Sequence, residues 1–146
     1  MGSSKWLNLI KYNSFENNTL EAFNRLRKDG YKIVATTPHK ESVNLDELPL
    51  DNKIALVFGT EMTGLSDFAI ENADHHLRIP MYGFTESYNI SVSAALCLFT
   101  LSQSLRKSNI NWQLNKYEHT DILLDWARNS INQYESIEKR FLSNLN

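Results

Sequence analysis

An apolar run that ends in glycine decides the fold of this chain: residues 54–66 read IALVFGTEMTGLS. The continuous apolar residues from Ile54 to Phe58 are typical of a strand that is buried on both faces of a parallel sheet. Gly59 and Gly64 allow the backbone after that strand to turn tightly or to approach a ligand closely. Ser66 then predicts the start of a short helix.

Strands and helices alternate on both sides of this stretch. The other predicted elements are strands at 6–10, 31–36 and 77–79, a helix that begins at Ser14 or Asn18 and ends at Gly30, a polar connection over 39–53 with one helical turn, and a buried helix over 90–105. Such alternation indicates an α/β fold with a parallel sheet and crossover helices.

The tail of the chain has a different composition. It is polar from about Ser108 and then predicts one helix of about six turns from Glu118 to Leu142. The apolar residues of that helix recur at steps of three and four and form one stripe: Leu123, Ala127, Ile131, Tyr134, Ile137 and Phe141. The stripe could pack on the chain's own sheet or on a second subunit. We therefore divide the chain into a domain over 1–107 and a helical extension over 108–146.

Composition narrows the class of protein. With 146 residues, 42% hydrophobic and 22% charged, the chain suits a single ordered domain. A net charge of -2 argues against a basic field over the whole molecule, although a local basic patch remains possible. Cys97 lies in an apolar run, which predicts a buried thiol in a reducing compartment. No run of about 18 apolar residues and no signal-peptide core is found, so we expect a cytoplasmic protein without a membrane partner.

Ligands of parallel α/β sheets bind beyond the carboxyl ends of the strands. This rule selects the residues after three predicted strands: Thr36–Thr37, Gly59–Glu61 and Pro80–Gly83. By spacing alone, Glu61 is a solvated carboxylate or a helix-end partner, and Asn89 or Ser87 is a plain helix cap. The glycine loop matches neither a Walker loop nor a dinucleotide fingerprint. The histidines have no metal-ligand spacing, so no metal is expected.

Two of these segments resemble motifs of a known family. Residues 55–66 look like the second motif of the SpoU (TrmH-like) RNA 2′-O-ribose methyltransferases, in which hydrophobic residues precede Gly-Asn-Glu-x-x-Gly-Leu-Ser. Residues 79–93, IPMYGFTESYNISVS, are similar to the third motif, Ile-Pro-Met-x-Gly-x-x-x-Ser-Leu-Asn-Val-Ser-Val-Ala. The resemblance covers about residues 5–107 and looks nearest the tRNA guanosine-18 branch.

This resemblance implies a SPOUT fold, in which the C-terminal part of a parallel α/β sheet is tied in a deep trefoil knot. It also implies S-adenosylmethionine as cofactor, RNA (most of all tRNA) as substrate, and a homodimer. By motif position, the backbones of Thr36, Gly59, Ile79 and Tyr88 would line the cofactor site, with Met81 and Ser87 nearby. Glu61 and Asn89 match the polar active-site residues. Tyr88 stands where the family usually has Leu, and Thr60 where it usually has Asn.

One family feature is absent from these residues. The first motif, Asn-x-Gly-x-x-x-Arg, does not occur in the chain, and its Arg is thought to help activate the ribose hydroxyl. We therefore expect a methyltransferase domain without its N-terminal part, with an exposed sheet edge that favours self-association. Because general-base help is worth about 10²–10⁴-fold, we expect weak or no methyl transfer from these residues alone.

Two other functions compete with the enzyme. A non-catalytic RNA-binding or dimerisation module could keep the knot and lack the chemistry. A flavodoxin-like nucleotide-binding protein would share the α/β alternation, but it would not explain the Asn89–Val92 sequence.

Overall fold

The computed structural model describes residues 6–38, 41–85 and 87–145. The described residues pack into two units: one spans Tyr12–Trp112, and the other joins the residues up to Lys11 with those from Gln113 onward. The functional division at 107/108 stays a prediction. The elements are α1 (Asn18–Lys28), β1 (Tyr31–Thr36), β2 (Val43–Asn44), β3 (Lys53–Val57), α2 (Asp67–Glu71), β4 (His75–Arg78), α3 (Ile90–Lys107), α4 (Lys116–Ser130) and α5 (Tyr134–Ser143).

The described strands form one parallel sheet in the order β2-β4-β1-β3. Ile33 of β1 pairs with Ala55 of β3, and Thr36 pairs with Leu77 of β4. This confirms the predicted α/β class. Because the strands are parallel, the ends of β1, β3 and β4 lie at the same edge of the sheet, where the predicted site residues follow.

Both faces of the sheet are covered. On one face, Val34 and Leu77 pack with Cys97 of α3, while on the other face Ile33 packs with Phe23 of α1 and Ala69 of α2. The thiol of Cys97 is fully buried, as predicted, and its burial raises its pKa.

Asp74 anchors β1 to its neighbours. The backbone N–H of Ile33 donates to the Asp74 carboxylate at 2.7 Å, and Arg27 of α1 lies 3.4 Å from it. Burial alone would raise the pKa of Asp74, but the Ile33 hydrogen bond and the Arg27 charge outweigh burial, so the pKa lies below its ordinary value. The carboxylate therefore joins α1, β1 and the start of β4.

The strand predicted at 6–10 is wrong. These residues are exposed and irregular, and Trp6 packs edge-on against Trp126 of α4 with ring centroids 5.5 Å apart. An apolar run becomes a strand only where a neighbouring strand pairs with its backbone, and none of the described strands does so here. The first helix begins at neither predicted cap: the Asn17 side chain caps it by accepting from the N–H of Leu20 at 3.0 Å.

The predicted connection over 39–53 holds a short strand that was not predicted, followed by a single turn in which the Glu47 N–H donates to the Asn44 carbonyl oxygen at 3.0 Å. Val43 and Asn44 pair with Leu77 and Arg78 at the sheet edge, and the Arg78 Nε donates to Asn44 Oδ1 at 2.7 Å. A two-residue strand is too short to leave a periodic pattern in the sequence. Residues 39 and 40, including His39, lie outside the described residues.

Helix α3 is not buried all round, contrary to the prediction. Cys97 faces the sheet, but Leu98 and Phe99 are 64% and 66% exposed. Successive helical residues point about 100° apart, so a continuous apolar run covers faces that a single sheet contact does not bury.

The tail forms two helices instead of the predicted single one. The break between α4 and α5 lies at residues 131–133, where Gln133 adopts a left-handed conformation with φ of 59°. The two helices pack on each other, and Arg128 Nε donates to Glu138 Oε1 at 2.8 Å. Part of the predicted stripe, including Ala127, Ile131 and Tyr134, lines a cavity of about 160 Å³ between them. The stripe thus follows the bend between the helices.

Within the described part of the chain, no helix combines the length and the apolarity that crossing a membrane requires.

Candidate cofactor site

The segments after β1, β3 and β4 meet around a cavity of about 310 Å³. All six predicted cofactor residues are among the residues that line it: Thr36, Gly59, Ile79, Met81, Ser87 and Tyr88. The structure thus brings the six residues together at one cavity, and their contact with a cofactor stays a prediction. The volume and the mixture of apolar walls with backbone groups suit a small organic ligand.

Hydrogen bonds at the strand ends hold the walls of the cavity. The Thr36 hydroxyl donates to the Val57 carbonyl oxygen at 2.8 Å, which joins the end of β1 to that of β3. The Thr37 N–H donates to the Leu77 carbonyl oxygen at 2.8 Å, which joins β1 to β4. With its hydroxyl proton used in this way, the Thr36 side chain cannot donate to a ligand.

The loop after β3 is a tight turn in which Thr60 and Gly64 exchange two backbone hydrogen bonds of 3.0 Å. The Thr60 and Thr63 hydroxyls lie 2.8 Å apart, so the side chain that replaces the family's usual Asn helps to close the turn. A β-carbon on Gly59 would overlap the backbone of Gly64 and Leu65. Only glycine fits at position 59, and its bare backbone faces the cavity.

The two predicted polar active-site residues contact each other. Asn89 Nδ2 donates to Glu61 Oε1 at 2.7 Å, and Asn89 Oδ1 accepts from the Ser91 N–H at 2.9 Å at the start of α3. Asn89 therefore caps the helix and also ties it to the glycine loop. Because Glu61 accepts from the residue that caps α3, the alternative of a helix-end partner fits it, and it also lines the cavity.

The cavity also contains residues that the sequence analysis did not single out. Among them are Phe58, Leu65, Arg78 and Ser93. Ser93 follows Asn89 by one helical turn, and its N–H donates to the Asn89 carbonyl oxygen at 2.9 Å. That spacing is the signal that could have found Ser93. Phe58 and Leu65 show no sequence pattern that distinguishes cavity-lining residues from core residues.

The histidines form no metal site among residues 6–38, 41–85 and 87–145, where no three His, Cys, Asp or Glu side chains are grouped to hold an ion. His75 and His76 are successive in β4 and so point to opposite faces of the sheet. The His76 Nε2 lies 2.9 Å from the Ile70 carbonyl oxygen.

The chain is similar to known proteins over the residues that form this site. The model of the SpoU rRNA Methylase family matches residues 1–99. A tRNA (guanosine(18)-2′-O)-methyltransferase of Borreliella burgdorferi is 46% identical over 138 residues, which are 94% of this chain and 62% of the relative. The chain thus spans about three fifths of the length of this curated relative.

Solved structures agree with the sequence matches. The crystal structure of the Aquifex aeolicus TrmH/SpoU tRNA modifying enzyme superposes with a TM-score of 0.68 at 31% identity, over 80% of this chain and 60% of that one. An AdoMet-bound rRNA methyltransferase from Sinorhizobium meliloti gives 0.53 at 28% identity, over 58% of this chain and 33% of that one. Because the family model covers more than half of the residues, the chain belongs to the SpoU rRNA methylase family.

Proposed function

We propose that this chain is an S-adenosylmethionine-dependent domain that methylates the ribose 2′-hydroxyl of RNA, with tRNA as the substrate. The observation that carries the proposal is the cavity at which both methyltransferase-like motifs meet after parallel strands. The similarity to tRNA-modifying enzymes supports the substrate, and the similarity to an AdoMet-bound methyltransferase supports the cofactor.

The cavity fits the cofactor because Gly59 presents bare backbone to it. A β-carbon at this position would overlap the backbone of Gly64 and Leu65 and displace the loop. In this proposal, Thr36, Gly59, Ile79 and Tyr88 hold the nucleoside through backbone groups, and Met81 and Ser87 complete the walls. Replacing the usual Leu by Tyr88 leaves such a backbone contact possible. When bound, S-adenosylmethionine supplies an electrophilic methyl group.

Glu61 and Asn89 act in this proposal by position. Their 2.7 Å hydrogen bond fixes the glycine loop against the start of α3, on either side of the place where the ribose hydroxyl must approach. Holding the ribose hydroxyl and the methyl donor in line lowers the activation barrier, because the entropy cost of bringing them together is met when they bind. The hydroxyl proton must still leave as the new O–C bond forms and the sulfur–methyl bond breaks, and residues 1–146 include no first-motif arginine to assist it.

Two further features belong to the proposal. The trefoil knot of the SPOUT fold belongs to the proposal through the family match, and the sheet order places β4 between β1 and β2, which precede it in the chain. The exposed Leu98 and Phe99 of α3 support a homodimer contact. We also place the protein in the cytoplasm, where tRNA is available.

Methyl transfer under single-turnover conditions tests the function. We expect slow incorporation of labelled methyl from S-adenosylmethionine into an unmodified tRNA transcript, with the protein in excess, at a ribose 2′-oxygen that then resists alkaline cleavage of the adjacent phosphodiester. The control is the same transcript already methylated at that ribose. Label on a base, or no incorporation over hours, would contradict the proposal. Cofactor binding without transfer would favour the non-catalytic RNA-binding module.

A further inference from the structure

Two aromatic rings stand in solvent beside the cavity. Tyr82 and Phe84 follow β4 and are 94% and 107% exposed, and Met62 in the loop after β3 is 93% exposed. Tyr82 directly follows Met81 and Met62 directly follows Glu61, both of which line the cavity, while Phe84 lies midway between the lining residues Met81 and Ser87. Gly83 separates the two rings and has φ of +125°, a conformation that side-chain-bearing residues rarely adopt. Gly83 thus marks a turn between two exposed rings.

The charge around the cavity indicates what these rings can contact. No Lys or Arg occurs from Ile54 to Leu77 or from Ile79 to Leu105, so Arg78 is the one cation in this part of the sequence. Glu61 places a carboxylate at the same opening. Arg78 is therefore the one cation that the segments after β3 and β4 contribute to the attraction of phosphates. Stacking on a base face is a contact with RNA that exposed aromatic rings make without a charge of their own.

We propose that Tyr82 and Phe84 form a stacking platform for the base of the nucleotide whose ribose enters the cavity. This inference rests on the proposed function and adds to it: the target nucleotide is unstacked from the RNA and recognised through its base face. The rings select an accessible, loop-borne nucleotide over one inside a helix.

Paired variants test this platform. We expect the double variant Tyr82→Leu/Phe84→Leu to weaken binding of an unmodified tRNA transcript by about tenfold or more, since loss of stacking on one base has that effect. S-adenosylmethionine affinity and the salt dependence of tRNA binding should stay unchanged, because no phosphate contact is removed. Tyr82→Phe keeps the ring and should bind tRNA like the original protein.

Tyr31→Leu serves as the control. Tyr31 lies at the first residue of β1, and the cavity lies at the other end of that strand, at Thr36. A second transcript carries an abasic residue in place of guanosine 18, the position in the name of the Borreliella burgdorferi relative. Binding of both transcripts to the original protein and to the double variant forms a double-mutant cycle. The abasic residue should weaken binding to the original protein and change nothing for the double variant.

Several results would overturn the platform. Unchanged tRNA affinity of the double variant would do so, as would equal effects of the abasic residue on both proteins. A parallel loss of S-adenosylmethionine affinity would show that the rings hold the loop, and a changed molecular mass in solution would assign them to contact with a second copy. If the original protein binds no tRNA and transfers no methyl group, the proposed function itself fails, and the platform fails with it.

Discussion

Replacing Gly59 by alanine should lower the affinity for S-adenosylmethionine by about 100-fold, equivalent to about 2.7 kcal/mol. The added β-carbon would overlap the backbone of Gly64 and Leu65, and backbone atoms cannot rotate away as a flexible side chain can. The turn must therefore move, and the wall that faces the cavity moves with it. Because β3 ends at Val57, before this turn, the sheet should remain folded.

Isothermal titration with S-adenosylmethionine measures this loss, and circular dichroism checks the fold. Gly64→Asn is the matched control in the same turn. Gly64 needs its left-handed φ of +67° but has no atom within 4 Å of an added β-carbon, and asparagine tolerates that conformation. We expect Gly64→Asn to keep affinity within a few-fold. Affinity of Gly59→Ala equal to that of the original protein would refute the assignment of this loop to the cofactor.

Asn89→Asp should lower the affinity for S-adenosylmethionine by about tenfold at neutral pH. The new carboxylate can still cap α3. Its second oxygen, however, replaces the Asn89 amide group that donates to Glu61 Oε1 at 2.7 Å in the original protein. Two negative charges so close repel each other, and solvent at this exposed pair keeps the effect to about 1–2 kcal/mol. The glycine loop and α3 should separate as a result.

The second-site variant Glu61→Gln tests whether repulsion is the cause. In Asn89→Asp/Glu61→Gln the glutamine amide can donate to the aspartate, so affinity should recover most of the loss in the same titration. A double variant as weak as Asn89→Asp alone would mean that the contact does not shape the cavity.

The sequence was sufficient for three strands of the sheet, β1, β3 and β4, and for the edge at which the segments after them meet. The apolar run before Gly59 and the β-branched run before Pro38 have few alternatives to buried parallel strands, and the residues after such strands must share an edge. The motif residues carry their own turn and cap signals, which explains why Gly59, Ser66 and Asn89 lie where we expected them.

Features that depend on distant partners were not accessible from the sequence. Trp6 belongs to an apolar run that suits a strand, yet it packs on Trp126 far along the chain. The break at Gln133 leaves the apolar spacing intact, since the stripe continues from one helix to the next. The contact between Glu61 and Asn89 joins residues 28 apart, and only the fold brings them to hydrogen-bonding distance.

A titration of the ¹⁵N-labelled chain with S-adenosylmethionine, followed by amide chemical shifts, tests most directly whether the cavity holds the methyl donor. We predict saturable shifts for the amides of Thr36, Gly59, Ile79 and Tyr88, with a single dissociation constant and little change in α5. Shifts confined to other parts of the chain, or no saturable shift at millimolar S-adenosylmethionine, would contradict the account.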